Sequence, residues 1–92
     1  MYEYGDGVIQ SYEEAYKWYL EAVKNNDSSA QFALGFFYER GYHVEKNLKE
    51  AFKWYSLAAN KGHRTAKYNL GVFYERGMGC DQNYEMACKY YL

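Results

Sequence analysis

The amino-acid sequence predicts an all-α fold, an α-solenoid of antiparallel helix-turn-helix repeats with a 36-residue period. Three observations predict it. The chain aligns with itself at that offset without a gap, its apolar residues recur at helical spacing, and Gly or Asn marks the helix ends.

The self-alignment is dense. Between residues 30–56 and 66–92, 12 of 27 positions are identical, including the run Phe37-Tyr38-Glu39-Arg40-Gly41 against Phe73-Tyr74-Glu75-Arg76-Gly77. Between 1–26 and 37–62, 10 of 26 are identical. Ala15, Ala51 and Ala87 share one register, as do Lys17, Lys53 and Lys89, and Tyr19, Tyr55 and Tyr91. These matches divide the chain into a partial repeat (1–26), a complete one (27–62) and a second partial one (63–92). Both ends interrupt the pattern, so the chain reads as part of a longer array with uncapped end faces open to self-association.

Each unit reads as two helices. The first spans 28–40 and again 64–76, where Ala30, Leu34, Phe37 and Tyr38 fall at i, i+4, i+7 and i+8. Gly41 and Gly77 follow, suited to a left-handed C-terminal position. The second helix spans about 11–25, 47–60 and 83 to the end. Ser11 with Glu14, and Asn47 with Glu50, set a capping side chain three residues before a carboxylate. Asn83 keeps the cap while Met86 replaces the carboxylate, which predicts a weaker third start. Asn26 and Gly62 suit the left-handed position after the second helix. Ala30, Gly35, Ala51 and Ala58 leave room for Tyr38, Trp54 and Tyr55, so Gly35 and Gly71 are predicted close-contact points. A helix-interior Gly costs about 0.5–1 kcal/mol relative to Ala, which the packing must recover.

Composition narrows the function classes. The 92 residues amount to one small domain, with 13 Tyr that combine apolar rings with hydroxyls needing partners. The net charge of −1 gives no basic field for a nucleic acid. There is no apolar run long enough to span a membrane and no signal-peptide pattern in this stretch, which leaves the compartment unknown.

The string carried by Ala30, Leu34, Gly35, Tyr38, Gly41, Val44, Ala51, Trp54, Tyr55, Ala58, Ala59 and Gly62 resembles the Sel1-like repeat, a relative of the tetratricopeptide repeat. The next copy supplies Ala66, Leu70, Gly71, Tyr74, Gly77, Gly79, Ala87, Tyr90 and Tyr91, and the first supplies Gly5, Gly7, Val8, Ala15, Trp18, Tyr19 and Ala22. The resemblance implies an adaptor or scaffold, as in endoplasmic-reticulum quality control, signalling, or bacterial proteins that meet host factors. His43 departs from Gly7 and Gly79 at its register position, which predicts a different bend in that loop. Cys80 replaces Val. The cysteine-rich branch of the family has disulfides that would fall at Ala59 and Lys67 here, so Cys80 and Cys88 are expected to be small buried hydrophobes, with a disulfide between them as the alternative.

No residue set asks for catalysis. His43 and His63 stand in loop or cap positions without metal-ligand spacing, and no phosphate-binding loop or isolated carboxylate pair is present. No cofactor is expected. An enzyme like that claimed for cysteine-rich relatives is the weakest reading.

The stripe opposite the buried face of the first helices holds Phe32, Phe36, Glu39 and Arg40, then Tyr68, Val72, Glu75 and Arg76. In related helical-repeat stacks this side lines the concave groove, so these eight residues are the candidate partner-binding set. Rigid rings beside Arg are hot-spot chemistry for a protein or peptide. The alternative is structural: Phe32 and Phe36 pack on the adjacent second helix, Glu39 and Arg40 form a repeated ion pair, and the chain is a spacer within a larger protein.

Overall fold

The computed structural model describes residues 5–91, with side chains described from Tyr12 onward. It contains α1 (Gly5–Val23), α2 (Ser28–Arg40), α3 (Leu48–Asn60), α4 (Arg64–Arg76) and α5 (Tyr84–Tyr91). Each helix packs on the next in chain order, with principal extents of 41 × 26 × 21 Å. The described residues include no helix long and apolar enough to cross a membrane.

The stops and starts follow from local chemistry. Gly41 and Gly77 end α2 and α4 at φ of 73° and 68°, and the Gly41 N–H bonds the Phe37 carbonyl at 2.7 Å. Asn26 and Gly62 also take positive φ after the other helices, at 64° and 89°. Asp27 caps α2 by accepting from the Ser29 and Ala30 amides, and His63 caps α4 through Nδ1 from Ala66 N. Each satisfies an N–H that the first turn leaves without a partner.

Four expectations change. Helix α1 begins at Gly5, so Ser11 lies inside the helix rather than capping it, and the Gly7–Val8 segment is helical. In the later copies the equivalent loop is pinned by Asn47 N–H to Tyr38 O and Asn83 N–H to Tyr74 O, whereas the register partner Tyr2 lies outside the described residues. The third start carries the same cap as the second. Asn83 accepts from Met86 N at 3.0 Å, as Asn47 accepts from Glu50 N at 3.1 Å. A carboxylate at position 86 has no cap amide left to bind, because the Asn83 N–H is already taken by Tyr74.

The loop at His43 does not bend differently either. His43 adopts φ 64° and Gly79 φ 68°. What differs is the space around them: the His43 ring lies 5.1 Å from Tyr16, whereas a Cβ at Gly79 would fall on the Leu48 carbonyl oxygen. Finally, Cys88 is exposed and Cys80 half-buried, both as free thiols. Cys80 donates weakly to the Phe73 carbonyl, and burial pushes its thiol pKa up.

The core joins Ala51, Tyr55, Ala58 and Ala59 of α3 to Ala66, Leu70 and Phe73 of α4. Small residues let the helices approach, and one large ring fills the gap. A Cβ at Gly35 would sit 2.7 Å from the Tyr55 ring, and one at Gly71 2.7 Å from the Tyr91 ring. Both glycines are therefore seats for a tyrosine.

Candidate partner-binding surface

The candidate residues lie on α2 and α4, and their surroundings divide them. Glu39 is committed inward: it accepts the Tyr55 hydroxyl at 2.6 Å. Glu75 does the same for Tyr91, also at 2.6 Å. Burial and the neighbouring carboxylate push the Tyr55 phenol pKa far above its ordinary value, while the Glu75 hydrogen bond raises that of Tyr91 to about 12. A Glu39–Arg40 ion pair is absent among the described residues. The carboxylate grips a tyrosine, and Arg40 instead lays its guanidinium over the Phe36 ring, 5.1 Å from the centroid.

Phe32 is half-buried. Its ring lies 5.5 Å from Tyr55, 4.8 Å from His63 and 6.5 Å from Phe36. It therefore packs on α3, as the structural alternative holds, and also touches the residue that caps α4. Phe36 contacts Tyr42 in the following loop at 5.6 Å. Tyr68, the register equivalent of Phe32, keeps the tyrosine contact, 5.5 Å from Tyr91, yet is 60% exposed. Val72 is half-buried, and Arg40 and Arg76 are exposed. The structure thus brings Phe32, Phe36 and Arg40 into one cluster and Tyr68 into a second, with His63 at the edge of the first.

A cleft of about 570 Å³ opens beside the first cluster, lined by Tyr12, Tyr19, Phe32, Phe36, Tyr42 and His63 among others. Tyr12 and Tyr42 stack with centroids 4.4 Å apart and planes 8° apart. These tyrosines and His63 were not in the candidate set. One repeat further on, Leu48 and Met78 occupy the register positions of Tyr12 and Tyr42, so this stacked aromatic pair is not repeated there. The break in the pattern was the available signal. Chemically the surface offers aromatic faces, one cation on a ring and few polar acceptors, which suits an apolar side chain beside a carboxylate. Among the described residues no three His, Cys, Asp or Glu side chains cluster as metal ligands would.

Comparison with known proteins agrees with this architecture. The Sel1 repeat family profile matches residues 1–27, 28–63 and 65–92. Among solved structures, the chain is similar to a Sel1 repeat protein from Oxalobacter formigenes, at 39% identity and a TM-score of 0.80 over 83% of this chain and 31% of that one. It is similar to Helicobacter pylori cysteine rich protein B at 28% identity and a TM-score of 0.82, covering 86% of this chain and 59% of that one. A protective antigen of uropathogenic Escherichia coli with an SLR fold shares the fold at 24% identity and a TM-score of 0.81, covering 92% and 20%. The chain thus spans less than two thirds of each of these relatives. No curated protein matches the sequence. With repeat matches over nearly its whole length and the same helical stack, the chain belongs to the Sel1 repeat family.

Proposed function

We propose that this chain is a protein-binding scaffold segment that holds a protein or peptide through the exposed side of α2 and α4. Sel1 repeat proteins serve generally as protein–protein interaction scaffolds. The observation that carries the reading here is the aromatic cleft beside Phe36, with the Arg40 guanidinium on that ring and Tyr68 60% exposed on the next repeat. Phe36, Arg40, Tyr68 and Arg76 are the members of the set that meet the partner. Phe32 and Val72 form the floor, and Glu39 and Glu75 act by fixing the tyrosines beneath it. A spacer role is the second reading, favoured by that structural use of both glutamates.

A peptide with an apolar anchor and a nearby carboxylate is the expected ligand class. The Phe36→Ala, Tyr68→Ala double variant removes the two rings while leaving the Tyr55–Gly35 packing intact. It should lose partner capture in a pull-down while keeping its helical circular dichroism. Equal capture by variant and parent would leave the spacer reading.

A further inference from the structure

Charge is unevenly placed along this chain. Residues 46–67 hold 6 of the 11 basic residues and 1 of the 12 acidic ones, a local excess of +5 in a chain of net charge −1. On α3 the excess forms a stripe. Lys46 lies just before the Asn47 cap, Lys49 and Lys53 follow one turn apart, and Leu57, 39% exposed, continues the same face. All three lysines are exposed, and none lies within ion-pairing distance of a described carboxylate. Lys53 Nζ lies 5.5 Å from the centre of the Trp54 ring. Helix α3 packs between α2 and α4, so the stripe is on the face turned away from both.

The other copies place different residues here. In register with Lys49 and Lys53 stand Glu13 and Lys17 on α1, and Glu85 and Lys89 on α5. Each is a glutamate four residues before a lysine, the stabilising order on a helix, and Glu13 and Lys17 approach to 3.8 Å. Lys49 and Lys53 are a like-charge pair at the same spacing, which destabilises. Lys49 is also a cation in the first turn of α3, at the positive end of the helix dipole, where α5 has Glu85. Position 57 departs as well, an exposed leucine where α1 has the exposed Glu21. Helix α3 thus breaks its own repeat at two residues of one exposed stripe, and the charge placement at Lys49 is unfavourable to the helix by itself. A local rule broken on a solvent-facing stripe points to a use outside the chain.

We propose that the α3 stripe docks an acidic protein segment, its carboxylates along Lys46, Lys49 and Lys53 and an apolar side chain on Leu57. Charge complementarity sets the sign of the partner, and Leu57 selects a peptide over a ligand that is only polyanionic. With a rise of about 1.5 Å per residue, Lys49 and Leu57 stand about 12 Å apart along the axis, the length of about two helical turns or about four extended residues. None of these residues belongs to the α2 and α4 set, and the inference does not depend on the proposed function.

The probe is a short fluorescent peptide of eight glutamates and one central leucine, with binding read by anisotropy at low salt. It should bind the parent saturably and weaken as salt is raised. Lys49→Glu should weaken binding at least about tenfold, yet unfold at the same or a higher temperature, since it introduces the glutamate–lysine order of α1 and α5. Lys89→Glu changes the net charge equally and should leave binding unchanged. Replacing the peptide's leucine by serine should weaken binding to the parent but not to a Leu57→Ser protein. No saturable binding, equal binding by Lys49→Glu, or indifference of the parent to the leucine overturns the proposal. An equal loss in Lys89→Glu overturns it in favour of net charge alone. A lower unfolding temperature for Lys49→Glu gives Lys49 a structural role and overturns it too. Phosphatidylserine vesicles or duplex DNA that bind more tightly than the peptide overturn it in favour of those surfaces. The Phe36→Ala, Tyr68→Ala variant should bind this peptide like the parent; a loss there moves the peptide to the groove and overturns this proposal while leaving the proposed function standing.

Discussion

Tyr55 in α3 and Tyr91 in α5 make the same two contacts, a glycine beneath the ring and a glutamate at the hydroxyl, both with matching distances. Tyr55 is fully buried, whereas Tyr91 is 41% exposed. The difference arises on the far side of each ring. Phe73 of α4 meets Tyr55 edge-on at 5.3 Å, in addition to the Phe32 contact at 5.5 Å, whereas among the described aromatic pairs Tyr91 has only the equivalent of the latter, a tilted contact with the exposed Tyr68 at 5.5 Å. A repeated contact therefore has no fixed worth. Its contribution depends on whether a third helix excludes water from it, because a hydrogen bond to a charged group is screened once solvent reaches it.

The strongest way to break this comparison is at the two glycines. Gly35→Leu forces a side chain into the fully buried Tyr55 ring, and overpacking of this kind costs about 2–3 kcal/mol. Gly71→Leu meets Tyr91, which can swing toward solvent, and should cost about 1 kcal/mol. Thermal unfolding of the two variants should show the larger loss for Gly35. Equal losses would mean that burial of the tyrosine does not govern the cost.

The paired loops give the next largest effect. Gly79→Ala drives a Cβ onto the Leu48 carbonyl, a backbone obstacle that cannot rotate away, and should destabilise by about 2 kcal/mol. His43→Gly releases a side chain from the same left-handed conformation but loses the Tyr16 contact. Denaturant midpoints should place it within about 1 kcal/mol of the parent.

The hydroxyls sharpen the comparison further. Tyr55→Phe should cost about 1–2 kcal/mol at neutral pH, and Tyr91→Phe markedly less, because solvent screens its bond to Glu75. The pH dependence has a definite sign. Below pH 10, the ordinary tyrosine value, folded and unfolded chains both hold the phenol proton and the contribution is fully present. Above it the unfolded chain releases the proton while folded Tyr55 keeps it, so stability falls as pH rises. Tyr91, raised to about 12 but exposed, contributes little of that slope. Chemical denaturation between pH 9 and 11 should show a shallower decline for Tyr55→Phe than for Tyr91→Phe.

The smallest effects belong to the helix starts. Asn83→Ala and Asn47→Ala should each cost about 1 kcal/mol, since each cap accepts one first-turn amide. Met86→Glu should change stability by less than about 0.5 kcal/mol, because the amide that a capping carboxylate would bind already bonds Tyr74. A gain near 1 kcal/mol would show that this amide is free in solution.

Much of the fold was legible because repetition reports every local rule more than once. The spans 28–40 and 64–76 coincide with α2 and α4, and Gly41, Gly77, Asn26 and Gly62 take the left-handed conformations their positions called for. Reading failed where a side chain's partner lies on another helix. Glu39 and Arg40, adjacent in sequence, suggested each other, yet Glu39 turns to Tyr55 of α3, 16 residues on, while Arg40 lies over Phe36 of its own helix. The exposure of Cys88 follows the same logic. Its register position is half-buried in α3, where Phe52 meets Tyr74 of α4 at 5.4 Å.

By itself the sequence determined the period, the spans of α2 and α4, the Asn47 and Asn83 caps and the glycines on which tyrosines sit. These depend on backbone conformation and side-chain volume within one or two turns, which residue type and spacing encode directly. Tertiary structure alone decided which copies of a repeated residue are sealed and which face water: Tyr55 against Tyr91, Trp54 against Trp18, Phe32 against Tyr68. Residues in one register differ in this way because burial is set by the next helix over, which contributes nothing to the local pattern.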